Sequence, residues 1–488
     1  MQKKVSLLYK NGIPGASDKD LEKAVYNLNI DRMIAVACKN KRQSDYFLSV
    51  LCRSGASAEN AEYRAQVISD LTANPDLLPD LLQLFRGYDN LMVETEEVLG
   101  EIFRYGMPTT SSGMLDCAYE ELYVNAHFAK NVIAYFSEIC DLLDRCDVHG
   151  QALCEMKSFC TAMKESRCIT ELSEASMLFK SENAGAYQFE IQAELDNAMR
   201  VCKCCISDVT DVNVKEKKSL LSVFKKKDTS TVDVGSSATD NCEAALVQAI
   251  GELSGLFADI AGGIYEVFKG LSEELMFYTV AIDLLELMKK QGMPYCLPTV
   301  LDAEADTLSA TQIWDILLLN EGKTKANIVT NDVDLSKSII AKGDNNCGKT
   351  SFLRAVGSSV IFAQNGLPVP ASSMTCSVRN AIFTHFSSAE KDFTDGDVAG
   401  RFEGEVQDMA QIMHNIRPYS LVLLNETFQT TAYREGAIGM KEILDVMPRI
   451  NCKYIFVSHM KVLFSLFTKE EVSTLTAVGF RLTKTDQA

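Results

Sequence analysis

Tryptophan occurs once, histidine five times and proline ten times in 488 residues. Scarce proline removes the strongest helix breaker and leaves room for long helices. Positive charge is also short: 48 Lys and Arg stand against 66 Asp and Glu, a formal net charge of −18. That excludes a protein whose whole surface grips nucleic acid, so a polyanion must meet a local basic patch. Nucleotide binding stays open, because it needs only a few aimed donors. No uncharged apolar run reaches the roughly 18 residues of a membrane span. The polar opening Met1–Lys10 does not fit a signal peptide. The expectation is a soluble, cytoplasmic protein with no membrane contact.

The 16 cysteines are scattered, which suits reduced thiols better than a disulfide framework. Cys202, Cys204 and Cys205 form the densest group, but no second Cys/His pair at ligand spacing lies nearby, so structural thiols are expected there and not zinc. Hydrophobic residues at 47% and charged residues at 23% suit an ordinary globular chain. Its length alone suggests roughly three domains.

The first three hundred residues read mostly as helix. Leu71, Leu77, Leu78, Leu81, Leu82 and Phe85 recur at spacings of three and four. The longest pattern runs through Leu246, Ile250, Leu253, Phe257, Ile260, Ile264, Val267, Leu271 and Leu275, after the N-cap candidates Thr239, Asp240 and Asn241. A helix over 243–290 would approach 70 Å at about 1.5 Å per residue. Before it lies a Lys-rich segment, about 212–241, with Lys215, Lys217, Lys218, Lys225, Lys226 and Lys227. It reads as a solvated linker or, more sharply, as a basic loop tip for nucleic-acid backbone.

Near residue 300 short β-rich runs begin to alternate with helical ones. Trp314–Leu319, Ser338–Ala341, Ala381–Phe386, Leu421–Leu424 and Tyr454–Val457 are the strand candidates. Several are apolar throughout, as in strands buried on both faces of a parallel sheet.

Between the second run and the next helix stands Gly343-Asp344-Asn345-Asn346-Cys347-Gly348-Lys349-Thr350, which fits G-x-x-x-x-G-K-[ST] in full. Glycines let the backbone curl so that its amides converge on phosphate oxygens. The lysine supplies a mobile cation, the threonine a hydroxyl for Mg²⁺, and the helix from Ser351 an N-terminus facing the anion. Leu421–Leu424 ends in Asn425 and Glu426, where such loops usually meet two carboxylates. Asn425 can hydrogen-bond a metal-bound water without adding charge, and Glu426 is the candidate base. Tyr454–Val457 ends in Ser458 and His459, and a histidine there can contact the γ-phosphate or its water.

These segments, in order, resemble the ATPase domain of the MutS family of DNA mismatch-repair proteins. Asn331–Leu335 lies upstream of the loop, as a similar segment does in that family, and Asn345 matches the Asn of its G-P-N-M-G-G-K-[ST]. Ala363–Ala371 resembles A-x-x-G-x-x-V-P-A, Ile382–His385 resembles I-F-T-R, and Ala410–Asn415 resembles A-N-I-L-H-N. Glu62-Tyr63-Arg64 through Asp70-Leu71 and Asp283–Pro298 are weaker echoes of the family's core and lever.

The resemblance implies an α/β P-loop NTPase (ABC-type ATPase) domain over 301–488, preceded by an all-α core and lever over 1–300 with a clamp reduced to 212–241. It implies Mg·ATP held by Gly343, Asn345, Gly348, Lys349, Thr350 and Ser351, with Thr350 and Asn425 toward Mg²⁺ and with Glu426 and His459 catalytic. It also implies a homodimer. The mismatch-reading and connector domains and most of a C-terminal dimerisation element are expected to be missing. The family's trans-acting signature Ser falls near Gly400, and Asn425 replaces its metal-site Asp. Two functions follow: a weak ATPase that binds DNA or a DNA structure in an ATP-dependent way without reading mismatches, or an ATP-gated protein-interaction switch that barely hydrolyses ATP and does not bind DNA.

Overall fold

The computed structural model describes residues 5–12, 15–104, 108–177, 179, 187–195, 201–211, 239–343, 347–386, 398–428, 433–459, 461–468 and 476–480. They fall into two compact units. One comprises Met1–Val5, Ala73–His149 and Leu153–Glu273; the other comprises Ser6–Thr72, Gly150–Ala152 and Glu274–Ala488. The compact division therefore does not fall at residue 300.

The chain opens with helices α1 (Lys19–Asn27), α2 (Ile30–Ile34), α3 (Lys41–Leu51) and α4 (Ala58–Ala73). Asp18 caps α1, its side chain accepting from the amides of Asp20 and Leu21. These helices, save Ala73, belong to the second unit, where α1 packs against the strand Ile382–Phe386. Asn27 donates to Thr384 Oγ1 at 2.9 Å, and Lys23 pairs with Asp408 at 3.0 Å.

The first unit holds α5 (Leu77–Ile102), α6 (Ser111–Arg145), most of α7 (Gln151–Lys164), α8 (Arg167–Ser176) and a two-stranded antiparallel hairpin, β1 (Tyr187–Leu195) with β2 (Val201–Asp211). Its core is aromatic: Phe268 meets Phe136, Tyr88 and Phe85 with ring centroids 5.2, 5.0 and 5.9 Å apart. The hairpin departs from the all-helical expectation. Tyr187, Phe189, Ile191 and Ala193 alternate with Gln188, Glu190, Gln192 and Glu194, a period of two that suits a strand and not a helix. Cys202, Cys204 and Cys205 lie on β2. Among the described residues no cluster of three or more His, Cys, Asp or Glu could hold a metal ion. The Lys-rich segment lies outside the described residues up to 238.

Helix α9 runs without a break from Thr239 to Lys290, 52 residues. Thr239, Asp240 and Asn241 are therefore its first turn and do not precede it. No helix among the described residues is long and apolar enough to cross a membrane.

The rest of the second unit is built on two sheets. A small one, in the order β3 (Thr299–Leu301), β7 (Ser373–Ser377), β4 (Leu308–Ile313), β5 (Asn331–Asp334), carries both parallel and antiparallel pairs. Trp314–Leu319, expected as a strand, is not one. β4 stops at Ile313; Asp315 then accepts the Leu317 amide at 3.0 Å and starts the short helix α10 (Leu317–Asn320). A carboxylate two residues past a strand competes for backbone donors and turns the chain.

The main sheet is parallel throughout, in the order β11 (Thr476–Phe480), β6 (Ile339–Gly343), β10 (Lys453–Ser458), β9 (Leu421–Asn425), β8 (Ile382–Phe386). Helices α11 (Lys349–Gln364), α12 (Val398–Asn415), α13 (Tyr433–Val446) and α14 (Lys461–Leu466) alternate with its strands. Leu421 to Leu424 and Ile455 to Val457 are fully buried, as the unbroken apolar runs require. One face packs on Met440, Leu444 and Met447 around Val422, Leu424 and Phe456. Ligands of open parallel sheets gather at the carboxyl ends of the strands. The register puts those ends side by side, with Ser458 opposite Lys342, Val457 opposite Asn425, and Asn425 opposite Phe386.

Candidate functional site

Gly343 ends β6, and α11 begins at Lys349. Asp344, Asn345 and Asn346 lie outside the described residues, so Asn345 stays an expectation from sequence. Gly348 adopts φ +92°, a left-handed conformation that suits a residue without Cβ, and its carbonyl accepts the Phe352 amide at 2.9 Å to open the helix. The amino-terminal end of α11 thus stands just after this segment, and the free amides of a helix start can take up an anion. Ser351 stands partly buried in the first turn.

Lys349 is 5% exposed. Its ammonium donates to the Gly343 carbonyl at 2.8 Å, and lies 3.9 Å from Cys347 Sγ and 3.8 Å from Glu426 Oε1. Thr350 Oγ1 donates to Asn425 Oδ1 at 3.3 Å. Two neutral hard oxygens are therefore adjacent, from the loop helix and from the end of β9, the oxygen type Mg²⁺ takes.

Glu426 follows β9 with φ +56°. A non-glycine residue there costs about 1–2 kcal/mol, so its surroundings must hold it. Its amide donates to the Val457 carbonyl at 2.9 Å. Its Oε2 accepts from His459 Nδ1 at 2.9 Å and from the His459 amide at 3.3 Å. A carboxylate can only accept, so the proton of that ring sits on Nδ1, and in the neutral ring Nε2 keeps its lone pair. Lys349, Thr350, Asn425, Glu426 and His459, read from three separate segments, are thus brought together at one edge of the sheet.

Three further residues sit against this edge and were not singled out from sequence. His385, at the end of β8, lies with Nδ1 2.9 Å from Thr427 Oγ1, and Glu405 of α12 accepts the Phe428 amide at 3.0 Å. Burial pushes the His385 pKa down to about 4, with Asp408 working against that shift and Lys23 adding to it. His385 had a faint signal, a polar residue next to last in an apolar strand run; Thr427 and Glu405 had none.

The site sets one buried cation and a helix start beside a pair of neutral oxygens and a histidine-held carboxylate. Residues 339–487 match the family profile for MutS domain V, the ATPase part of that family. Over 176 residues the chain is 30% identical to the DNA mismatch repair protein MutS of Granulibacter bethesdensis, covering 35% of this chain and 19% of the relative. Over 163 residues it is 31% identical to the DNA mismatch repair protein msh3 of Aspergillus niger, covering 32% of this chain and 14% of the relative. To the DNA mismatch repair protein MutS of Chlamydia pneumoniae it is 29% identical over 223 residues, 43% of this chain and 26% of the relative. The chain thus matches about a quarter or less of the length of these curated relatives. The part built on the main sheet is a MutS-type ATPase-domain fragment. These matches support membership of the MutS family, in a partial-length form.

Proposed function

We propose that this chain is a MutS-like ATP-binding protein with a P-loop fold in its α/β part. It binds Mg·ATP, hydrolyses it slowly, and binds DNA or a DNA structure in an ATP-dependent way without reading mismatches. The convergence of Lys349, Thr350, Asn425, Glu426 and His459 at one sheet edge carries this reading. The residues suit the ligand: Thr350 and Asn425 place two neutral oxygens 3.3 Å apart, and Mg²⁺ would complete its shell with phosphate oxygens and water.

Gly343, Asn345, Gly348, Lys349 and Ser351 hold the phosphates. The Thr350 hydroxyl holds Mg²⁺, and Asn425 hydrogen-bonds a metal-bound water. Bound Mg·ATP supplies the electrophilic phosphorus and the cation that neutralises its oxygens. Glu426 orients or deprotonates the attacking water. His459, fixed through Nδ1 by Glu426, senses the γ-phosphate. A homodimer with facing ATP sites is the assembly that accompanies this reading, in the cytoplasm.

Nucleotide titration and single-turnover hydrolysis test it. Lys349→Ala should weaken ATP binding by about 100-fold and Glu426→Ala should abolish hydrolysis while binding persists. Wild-type affinity in Lys349→Ala would refute the cradle. The second reading, an ATP-gated protein-interaction switch without DNA binding, is favoured by the net charge of −18 and by a neutral Asn425 at the metal position. A DNA titration at low salt, with and without ATP, separates the two: no binding in either state leaves only the switch.

A further inference from the structure

Thr427 is fully buried between two left-handed residues, Glu426 at φ +56° and Phe428 at φ +64°. A turn with two such non-glycine residues persists only where its surroundings over-determine it. Its backbone is tied at both sides: Glu426 N–H donates to the Val457 carbonyl, and Phe428 N–H donates to the Glu405 carboxylate. Its centre is tied through a side chain, Thr427 Oγ1 to His385 Nδ1 at 2.9 Å.

The chemistry of that third tie is specific. His385 is 3% exposed, and Nε2 faces the Asp408 carboxylate at 3.9 Å, with Lys23 on the same carboxylate at 3.0 Å. A carboxylate beside Nε2 favours the tautomer protonated there, which leaves Nδ1 as an acceptor and makes the Thr427 hydroxyl the donor. The bond therefore needs a neutral imidazole, which burial provides.

We propose that His385, by accepting this bond from Thr427, fixes the turn that aims the Glu426 carboxylate, and so acts as a positioning residue for ATP hydrolysis. This rests on the reading of Glu426 as the hydrolytic carboxylate. His385 acts through Thr427.

The test uses the full chain with saturating Mg·ATP. Thr427→Val is isosteric and removes the donor; His385→Phe removes the acceptor. Thr427→Ser keeps the donor, and His385→Asn places an amide oxygen near the lost Nδ1. Single-turnover hydrolysis should fall about tenfold or more in Thr427→Val and His385→Phe, with ATP affinity within about twofold of wild type. The double variant should be no slower than the worse single one, and Thr427→Ser and His385→Asn should recover most of the rate. In the ligand-free chain, which has five histidines, the His459 imidazole NMR signals should move in Thr427→Val, because Glu426 holds that ring.

Unchanged hydrolysis in Thr427→Val, or losses that add in the double variant, would overturn the proposal. A loss of affinity matching the loss of rate would also overturn it, as a general structural effect. A wild-type chain that binds ATP without turning it over ends the hydrolytic reading instead. The His459 signals then decide the positioning claim, and unmoved signals defeat it.

Discussion

Arg64 of α4 donates to the side-chain oxygen of Asn365 at 2.7 Å, tying an N-terminal helix to the residue that closes α11. The same guanidinium donates through Nε to the Leu8 carbonyl at 2.9 Å and lies 5.0 and 5.6 Å from the ring centroids of Tyr9 and Phe277. Asn365 donates in turn to the Ile361 carbonyl within α11. Arg64 is 4% exposed, so these acceptors cannot turn to water.

Arg64→Ala should therefore cost about 3 kcal/mol or more, from two buried acceptors losing their donor and a cavity between two rings. Arg64→Lys should recover little, because an ammonium cannot span both acceptors and stack on the rings. Urea denaturation measures both. An Arg64→Ala chain within about 1 kcal/mol of wild type would contradict the assignment.

Asn425→Asp keeps the oxygen that accepts from Thr350 at 3.3 Å and adds the charge the metal position lacks. Steady-state turnover should rise, roughly tenfold, while nucleotide affinity changes little. Unchanged or slower turnover counts against a metal role for this side chain.

Gly366 follows Asn365 with φ +70°, and an added Cβ would stand 2.3 Å from the Ala61 carbonyl oxygen. The obstacle is backbone, which cannot rotate aside. Gly366→Ala should lose about 3 kcal/mol or more, since strain and overlap combine. Gly348 at φ +92° has no heavy atom within 4 Å of such a Cβ. Gly348→Ala should cost only about 1–2 kcal/mol of stability, with the larger change in ATP affinity. Paired melts and titrations of the two variants check the contrast.

Asp315 is 2% exposed, and Arg354 lies 3.5 Å from its Oδ2. Burial raises its pKa from 3.8 to about 6, with Arg354 pulling the other way. The folded chain then holds that proton more tightly than the unfolded chain. The stability it contributes is full below the ordinary value and is lost as pH rises through about 6. Asp315→Asn cannot ionise, so it should gain on wild type between about pH 4 and pH 7, by on the order of 3 kcal/mol at most. Denaturant midpoints of both proteins at the two pH values give the sign. A gap that stays constant would refute it.

The parallel sheet was legible because Ile339–Gly343, Leu421–Asn425 and Lys453–Ser458 are apolar runs of strand length, a pattern set by burial on both faces. The candidate site was legible where residue type and spacing carry the chemistry, as with Gly348, Lys349 and Thr350. Trp314–Leu319 misled because its apolar residues fill the core from a turn and a short helix, and periodicity does not distinguish short apolar runs. The hairpin at 187–211 carried a clean alternation on its first strand, inside a region whose composition argued for helix.

By itself the sequence determined the long helix and the strands whose polar ends meet. Each is decided within a few residues, by propensity, patterning and the reach of one side chain. The tertiary structure alone decided that Arg64 meets Asn365 301 positions away and that His385 meets Thr427 42 positions on. Only it decided that Glu426 takes a left-handed turn onto His459. Strand register and core packing choose such pairs, and no local pattern records them.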